Sequence, residues 1–155
     1  MEGVKCIQEL CESNWEVERI YFTEHWTDKD FFSSSDVMAS LPRLCVSGKD
    51  MEMISALKAP PGLLAVAQLP ESFNKPPKTD RLCLFLDGLS DPGNGGTLVR
   101  IADWFGLGGV FLSPECADVI GPKALQSAMG STFHVSCHVC SWNDVPAQQK
   151  AHVMG

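Results

Sequence analysis

The 155-residue sequence predicts an α/β protein in two parts, and three observations predict it. First, residues 82–86 form a short apolar run bounded by charge and glycine, the pattern of a fully buried strand. Second, after the turn Asp91-Pro92-Gly93-Asn94-Gly95-Gly96 the apolar period changes. Leu98, Ile101, Ala102 and Phe105 fall at i, i+3, i+4 and i+7, one face of a helix running from Thr97. Gly106 stops that helix and residues 109–112 read as the next strand, giving a β-loop-α-β unit with a glycine-rich loop where open α/β sheets place ligands. Third, residues 1–69 alternate strand-like and helix-like segments, the pattern of a small α/β layer.

Each element follows from local chemistry. Residues 3–12 read as a helix with Val4, Ile7, Leu10 and Cys11 apolar, and residues 17–22 alternate as a strand. Residues 27–41 are mixed: 28–32 can start a helix, and Ser33-Ser34-Ser35-Asp36 breaks it. Residues 44–46 are β-like. Ser47 can cap a helix over 48–57 with Met51, Ile54 and Leu57 on one face. Pro60-Pro61-Gly62 turns the chain into an apolar strand at 63–69. Trp15, Trp26 and the phenylalanines here read as core more than as base-stacking platforms.

Residues 70–80 hold three prolines and no apolar period, so an extended, semi-rigid linker is expected. The second domain then starts at Arg81. A loop at 113–119 leads to a short helix at 122–129 with proline at its start. A third strand is expected at 133–140, and a last helix at 143–152 whose start Pro146 disturbs.

Net charge is −7 and the isoelectric point near 4.9, which speaks against nonspecific, charge-driven nucleic-acid binding. A local basic site is still open, with Arg81, Arg100 and Lys123 gathered at one sheet edge. No apolar run approaches the ~18 residues of a membrane span, and no basic-then-apolar start is visible. Seven cysteines, an odd number, then point to reduced thiols and a cytoplasmic location. His134, Cys137, His138 and Cys140 invite a metal reading. Strand alternation would send Cys137 to the face opposite the other three, so no metal site is expected.

The chemistry concentrates in the glycine loop. Three glycines within four positions allow close approach of a ligand to the backbone. The first N–H groups of the following helix can receive an anion. Asn94 brings a donor and an acceptor, and Arg100 lies off the apolar face with a fork suited to phosphate. The same residues also suit a plain capped turn with a solvated arginine. A Walker loop fails for want of its lysine, and the dinucleotide pattern fails at Leu98.

The run from Asp91 to Gly106 (DPGNGGTLVRIADWFG) resembles the first signature of the SpoU/TrmH family of RNA 2′-O-methyltransferases, in the SPOUT superfamily. The run from Gly121 to Val135 (GPKALQSAMGSTFHV) is similar to that family's Lys…Ser-x-Gly helix and following strand, and residues 1–69 resemble its small substrate-binding domain. The resemblance implies an α/β substrate-binding domain at 1–69, a linker at 70–80, and at 81–155 the first part of a Rossmann-like, trefoil-knot methyltransferase domain. The third signature (Gly-Asn-Glu, then Ile-Pro-x and Ser-Leu-Asn) does not occur, so the knot and the donor pocket should be incomplete and this chain an inactive or nearly inactive fragment of an enzyme.

The implied reaction is methyl transfer from S-adenosylmethionine to a ribose 2′-hydroxyl of rRNA or tRNA. The resemblance assigns catalysis to Asn94 and Arg100, and RNA contact to Gly93, Asn94, Gly95, Gly96, Arg100 and Lys123. It makes Ser127, Gly130, Ser131 and Thr132 an edge of the cofactor pocket. Gly93, Gly95 and Gly96 would make room for the nucleotide backbone, Asn94 would hold the ribose or orient Arg100, and Asp87 and Asp91 would shape the loop. A homodimer is implied for the full-length protein. A non-catalytic RNA-binding module of the same fold, and a nucleotide-binding α/β domain unrelated to RNA, remain open beside this reading.

Overall fold

The computed structural model describes residues 1–26, 30–71, 73–77 and 80–150. The chain divides into two compact units, Met1–Pro70 and Glu71–Gly155.

The first unit holds a three-stranded sheet of order β2-β1-β3, where β1 is Val17–Thr23, β2 Arg43–Val46 and β3 Leu63–Ala67. β1 pairs parallel with β2 (Ile20 opposite Arg43) and antiparallel with β3 (Tyr21 opposite Leu64). Helix α1, Val4–Glu12, buries Ile7 and Leu10, as its period predicts. A helix α2, Asp36–Ser40, stands where the sequence reads a break. Ser35 is both the break and the start, because its side chain accepts the N–H of Met38 as an N-cap. Of the helix expected at 28–32, residues 28 and 29 lie outside the described residues, and Phe31–Ser33 is a single 3-10 turn.

Helix α3, Gly48–Ile54, is capped by Ser47 as expected but stops short of Leu57. Ser55 turns extended, its hydroxyl donates to the Glu2 carboxylate, and the Ala56 N–H donates to the same group. The expected face therefore fails: Met51 is buried, whereas Ile54 is exposed.

The second unit holds a wholly parallel sheet of order β4-β5-β6, with β4 at Cys83–Leu86, β5 at Gly109–Leu112 and β6 at Cys137–Val139. Central β5 is buried throughout, while β4 is only half-buried because it is an edge strand. The core gathers Val99, Ala102, Val110, Leu112, Val119, Val135 and Cys137. Burial pushes the Cys137 thiol up to about 12.

Further expectations are corrected in the second unit. Helix α4 spans Pro92–Trp104, so the glycines lie inside its first turns rather than in a loop before it. Asp91 starts it as N-cap, accepting the Asn94 N–H at 2.8 Å. Its buried face is Gly95, Gly96, Val99 and Ala102, whereas Ile101 and Phe105 are exposed. The period is right and the phase is off, because the closest packing falls on glycine, which hydrophobicity does not score.

The third strand is shorter than expected. Helix α5, Pro122–Ala128, ends on left-handed Met129 (φ 51°) and Gly130 (φ 101°), and Ser131–Phe133 coils as a 3-10 turn. His134 and Val135 both donate their N–H to the Ser131 carbonyl, so the strand waits until Cys137. The last expected helix is split by Pro146 into a 3-10 turn, Trp142–Asp144, and α6, Ala147–Lys150; residues 151 and 152 lie outside the described residues.

The proline-rich segment is docked, not free. Phe73 packs on the second unit's core, the Asn74 side chain accepts the Val139 N–H, and Pro77 sits against Gly109. The second unit accordingly begins at Glu71, ahead of the expected Arg81. Among the described residues, no helix is long and apolar enough to cross a membrane.

Candidate nucleic-acid and catalytic face of the second unit

Helices α4 and α5 run side by side in the same direction. Asp91, before α4, meets Lys123 at the start of α5, and Arg100, late in α4, meets Met129 at the end of α5. Gly96 makes this closeness possible. A Cβ there would stand 2.1 Å from the Ala124 carbonyl oxygen and 3.0 Å from the Ala128 nitrogen. Gly95 faces Val119 and Leu89 in the interior. Both glycines are buried, so the expectation that they make room for a nucleotide is replaced by helix packing. Neither they nor Gly93 has a positive φ. Gly93 differs in its surroundings: its open side meets Asp91, Lys123 and Ser127 side chains.

Lys123 Nζ donates to Asp91 Oδ2 at 2.5 Å. Asp91 thus has two duties, capping α4 and holding Lys123. Lys123 first, and the Asn94 N–H second, hold the Asp91 carboxyl below the usual carboxylate range. Ser127 Oγ donates to the Lys123 carbonyl at 3.1 Å, one turn back. Asn94 is exposed on the first turn of α4. Arg100 follows six positions later, about 9 Å along the axis and ~120° around it, so the two side chains leave the helix in different directions. Asn94 is therefore not placed to orient Arg100 directly.

Arg100 is exposed, and its Nη1 reaches the Met129 sulfur at 3.1 Å. A thioether is a weak acceptor, so the guanidinium is steered with most of its donors still open. Met129 holds a strained left-handed backbone and contacts Arg100 through its sulfur. The expected gathering of three cations is not formed. Arg81 Nη1 donates to the Gly106 carbonyl at 3.5 Å, beyond the C-terminal end of α4, about 20 Å of helix away from Lys123.

The residues expected at the cofactor edge fall into two groups. Ser127 is half-buried beside Lys123 and Gly93. Gly130, Ser131 and Thr132 are buried in the turn after α5. Thr132 Oγ1 is buried with no hydrogen-bond partner among the described residues. A buried hydroxyl left unpaired is rare and costs about 1–3 kcal/mol, so this atom fits a polar group reaching the turn from a bound molecule. Asp87 is exposed after β4. Among the described residues, no group of three or more His, Cys, Asp or Glu side chains could hold a metal ion.

A family model for the SpoU rRNA methylases matches residues 81–154, the whole stretch that carries this face. Residues 81–154 of the chain are thus similar to that family. An uncharacterised tRNA/rRNA methyltransferase of Synechocystis is 35% identical over 113 residues, 72% of this chain and 41% of the relative. The 23S rRNA (guanosine(2553)-2′-O)-methyltransferase of Bacillus subtilis is 35% identical over 101 residues, 65% of this chain and 40% of the relative. A solved TrmH-family protein from Porphyromonas gingivalis superposes with a TM-score of 0.74 at 30% identity, over 91% of this chain and 53% of its own. The SpoU methyltransferase AviRb of Streptomyces viridochromogenes, solved with AdoMet, gives 0.79 at 23% identity, a likeness of fold. The chain thus spans under half the length of these curated relatives and just over half that of the solved structures.

Proposed function

We propose that this chain carries the RNA-binding and catalytic face of an S-adenosylmethionine-dependent RNA 2′-O-ribose methyltransferase acting on rRNA or tRNA. One observation carries the reading: Arg100 is exposed on α4 and steered by a sulfur, so its fork is open for a phosphate. S-adenosylmethionine, when bound, supplies an electrophilic methyl group. A ribose hydroxyl is a poor nucleophile until its proton leaves. A guanidinium has donors and no acceptor, so Arg100 fixes the phosphate and polarises the hydroxyl, and the proton passes to phosphate or solvent. Asn94 hydrogen-bonds the ribose, Lys123 adds a second cation, and Gly93, lacking a Cβ, leaves room for Asp91 and Lys123 to pair there. Gly130, Ser131 and Thr132 form part of the donor pocket's wall, supported by the unpartnered Thr132 hydroxyl.

In the same reading, residues 1–69 hold the RNA substrate, 81–155 are the first part of the catalytic domain, and the whole protein is knotted and homodimeric. The test is transfer of labelled methyl from S-adenosylmethionine to rRNA and tRNA transcripts by the whole protein, with the product mapped. The expected product is a 2′-O-methyl ribose. Arg100→Ala should lower kcat about 100-fold or more, the scale of losing a charge-stabilising donor, with folding unchanged. Methylation on a base, or full activity in Arg100→Ala, overturns the reading. Tight RNA binding without turnover favours a non-catalytic module.

A further inference from the structure

We propose that the first unit holds a base-binding pocket: the cavity beside the end of β1 takes one unstacked RNA nucleobase, with the adjoining phosphate on Arg43. This rests on the RNA-methyltransferase reading and adds a place where the substrate is gripped. The cavity has a volume of about 370 Å³ and is lined by Phe22, Trp26 and Phe32, with Glu24, Ser33 and Arg43 around them. That is the lower end of the range for small-ligand sites, room for a base and its sugar.

The walls are set in advance. Trp26 meets Phe31 and Phe32 edge-to-face, each with centroids 5.3 Å apart, and Phe32 meets Phe22 at 5.4 Å. Phe31 is 3% exposed and anchors the cluster from below, whereas Phe22, Trp26 and Phe32 are only half-buried. Rings fixed in this way lose little freedom when a flat ligand stacks on them. A sequence reading that assigns Trp26 and Phe32 to the core does not account for that residual exposure.

The polar groups select the ligand. The Arg43 guanidinium lies 4.9 Å over the Phe32 ring, stacked by its face, which leaves its N–H edges for an anion. Glu24 is an exposed acceptor for a ring N–H or an exocyclic amine, and Ser33 is an exposed hydroxyl. An apolar protein segment would strip water from Glu24 and Arg43 without pairing them. The Glu24 carboxylate keeps phosphate out of the cavity itself and on the Arg43 side. With a net charge of −7, phosphate attraction alone holds RNA weakly, so stacking has to supply affinity.

The test uses the 155-residue chain and two fluorescein-labelled single strands, an RNA octamer and a ribose-phosphate octamer lacking all bases. Trp26→Leu should weaken the RNA octamer about tenfold or more, the scale of one lost stacked base, and leave the base-free octamer unchanged. Trp26→Phe should retain most of the affinity, which separates stacking from folding. Arg43→Ala, a surface change, should weaken both octamers and lower the salt slope by about one. Trp26→Leu and Arg43→Ala binding like wild type, while Arg100→Ala binds worse, overturns the pocket and leaves the RNA reading standing. Failure of the wild type to bind either strand overturns both.

Discussion

Gly96→Ala tests how α4 and α5 are held together. The added Cβ would stand 2.1 Å from the Ala124 carbonyl oxygen, 2.9 Å from its carbon and 3.0 Å from the Ala128 nitrogen. All three are backbone atoms of one helix, so no rotamer change relieves them. Carbon and oxygen need well over 3 Å, so the helices must part by about 1 Å. That gap opens beside Val99, Ala102, Ala124 and Ala128, all fully buried. Overpacking of this kind costs about 3 kcal/mol or more, against about 1 kcal/mol gained by removing glycine from a helix. The net loss is about 2 kcal/mol, a fall of about 1 M in the urea midpoint. Two controls share the helix. At Gly95 the Cβ meets only the Val119 and Leu89 side chains, at 3.2 and 3.6 Å, and at Gly93 it meets side-chain atoms of Asp91, Lys123 and Ser127. The Gly93 contacts, at 2.9, 3.2 and 3.4 Å, are all to side-chain atoms, so Gly93→Ala and Gly95→Ala are both expected well above Gly96→Ala in stability. A Gly96→Ala midpoint equal to that of Gly93→Ala would refute the packing argument.

Three further outcomes are expected. The Asp91 carboxyl is held low in the folded state by Lys123 and the Asn94 N–H, so its stabilisation is present above the unfolded value and lost as pH falls through the folded one. Asp91→Asn should therefore be less stable than wild type at pH 7, and the gap should close below about pH 4; urea midpoints at pH 7, 5 and 3 check this. Cys137 is buried and its thiol pushed up to about 12, so it should resist iodoacetamide in the native protein at pH 8, while exposed Cys45 is alkylated, as peptide mapping would show. Met129→Gly should raise stability by about 0.5–1 kcal/mol, because φ 51° penalises a side chain; an unchanged or lowered midpoint would mean the Arg100 contact outweighs that relief.

The parts of the fold legible in the sequence are those set by local signals. Ser47 and the Pro122 start mark α3 and α5, Gly106 marks the end of α4, and the apolar run at 109–112 marks buried β5. What was not legible depends on partners distant in sequence. The face of α4 turns toward Gly95 and Gly96 because α5 is there to receive a backbone without a side chain, and no hydrophobicity pattern scores a glycine as core. The segment before β4 reads as linker because it has no period, yet Phe73 and Pro77 pack on the sheet one residue at a time. At the site, the open fork of Arg100 was legible from its place off the apolar face. The Met129 sulfur that steers it was not, since their contact spans 29 residues.

The two cations on this face are different instruments. Lys123 is already paired with Asp91, and the pair ties the start of α5 to the N-cap of α4. That pairing offsets part of its charge toward a ligand, so Lys123 is the weaker of the two cations and also fixes the edge on which Asn94 and Gly93 stand. Among the described residues, Arg100 forms no ion pair with a carboxylate; its contact is a polarisable sulfur that orients without neutralising. A full positive charge then remains on the face, with a planar fork aimed by packing. In a chain with 19 acidic and 12 basic residues the general field repels RNA, so selectivity for a phosphate has to come from such a single unneutralised group. The same acidity disfavours loosely held RNA, which leaves binding to places where stacking or a geometric fork adds to charge.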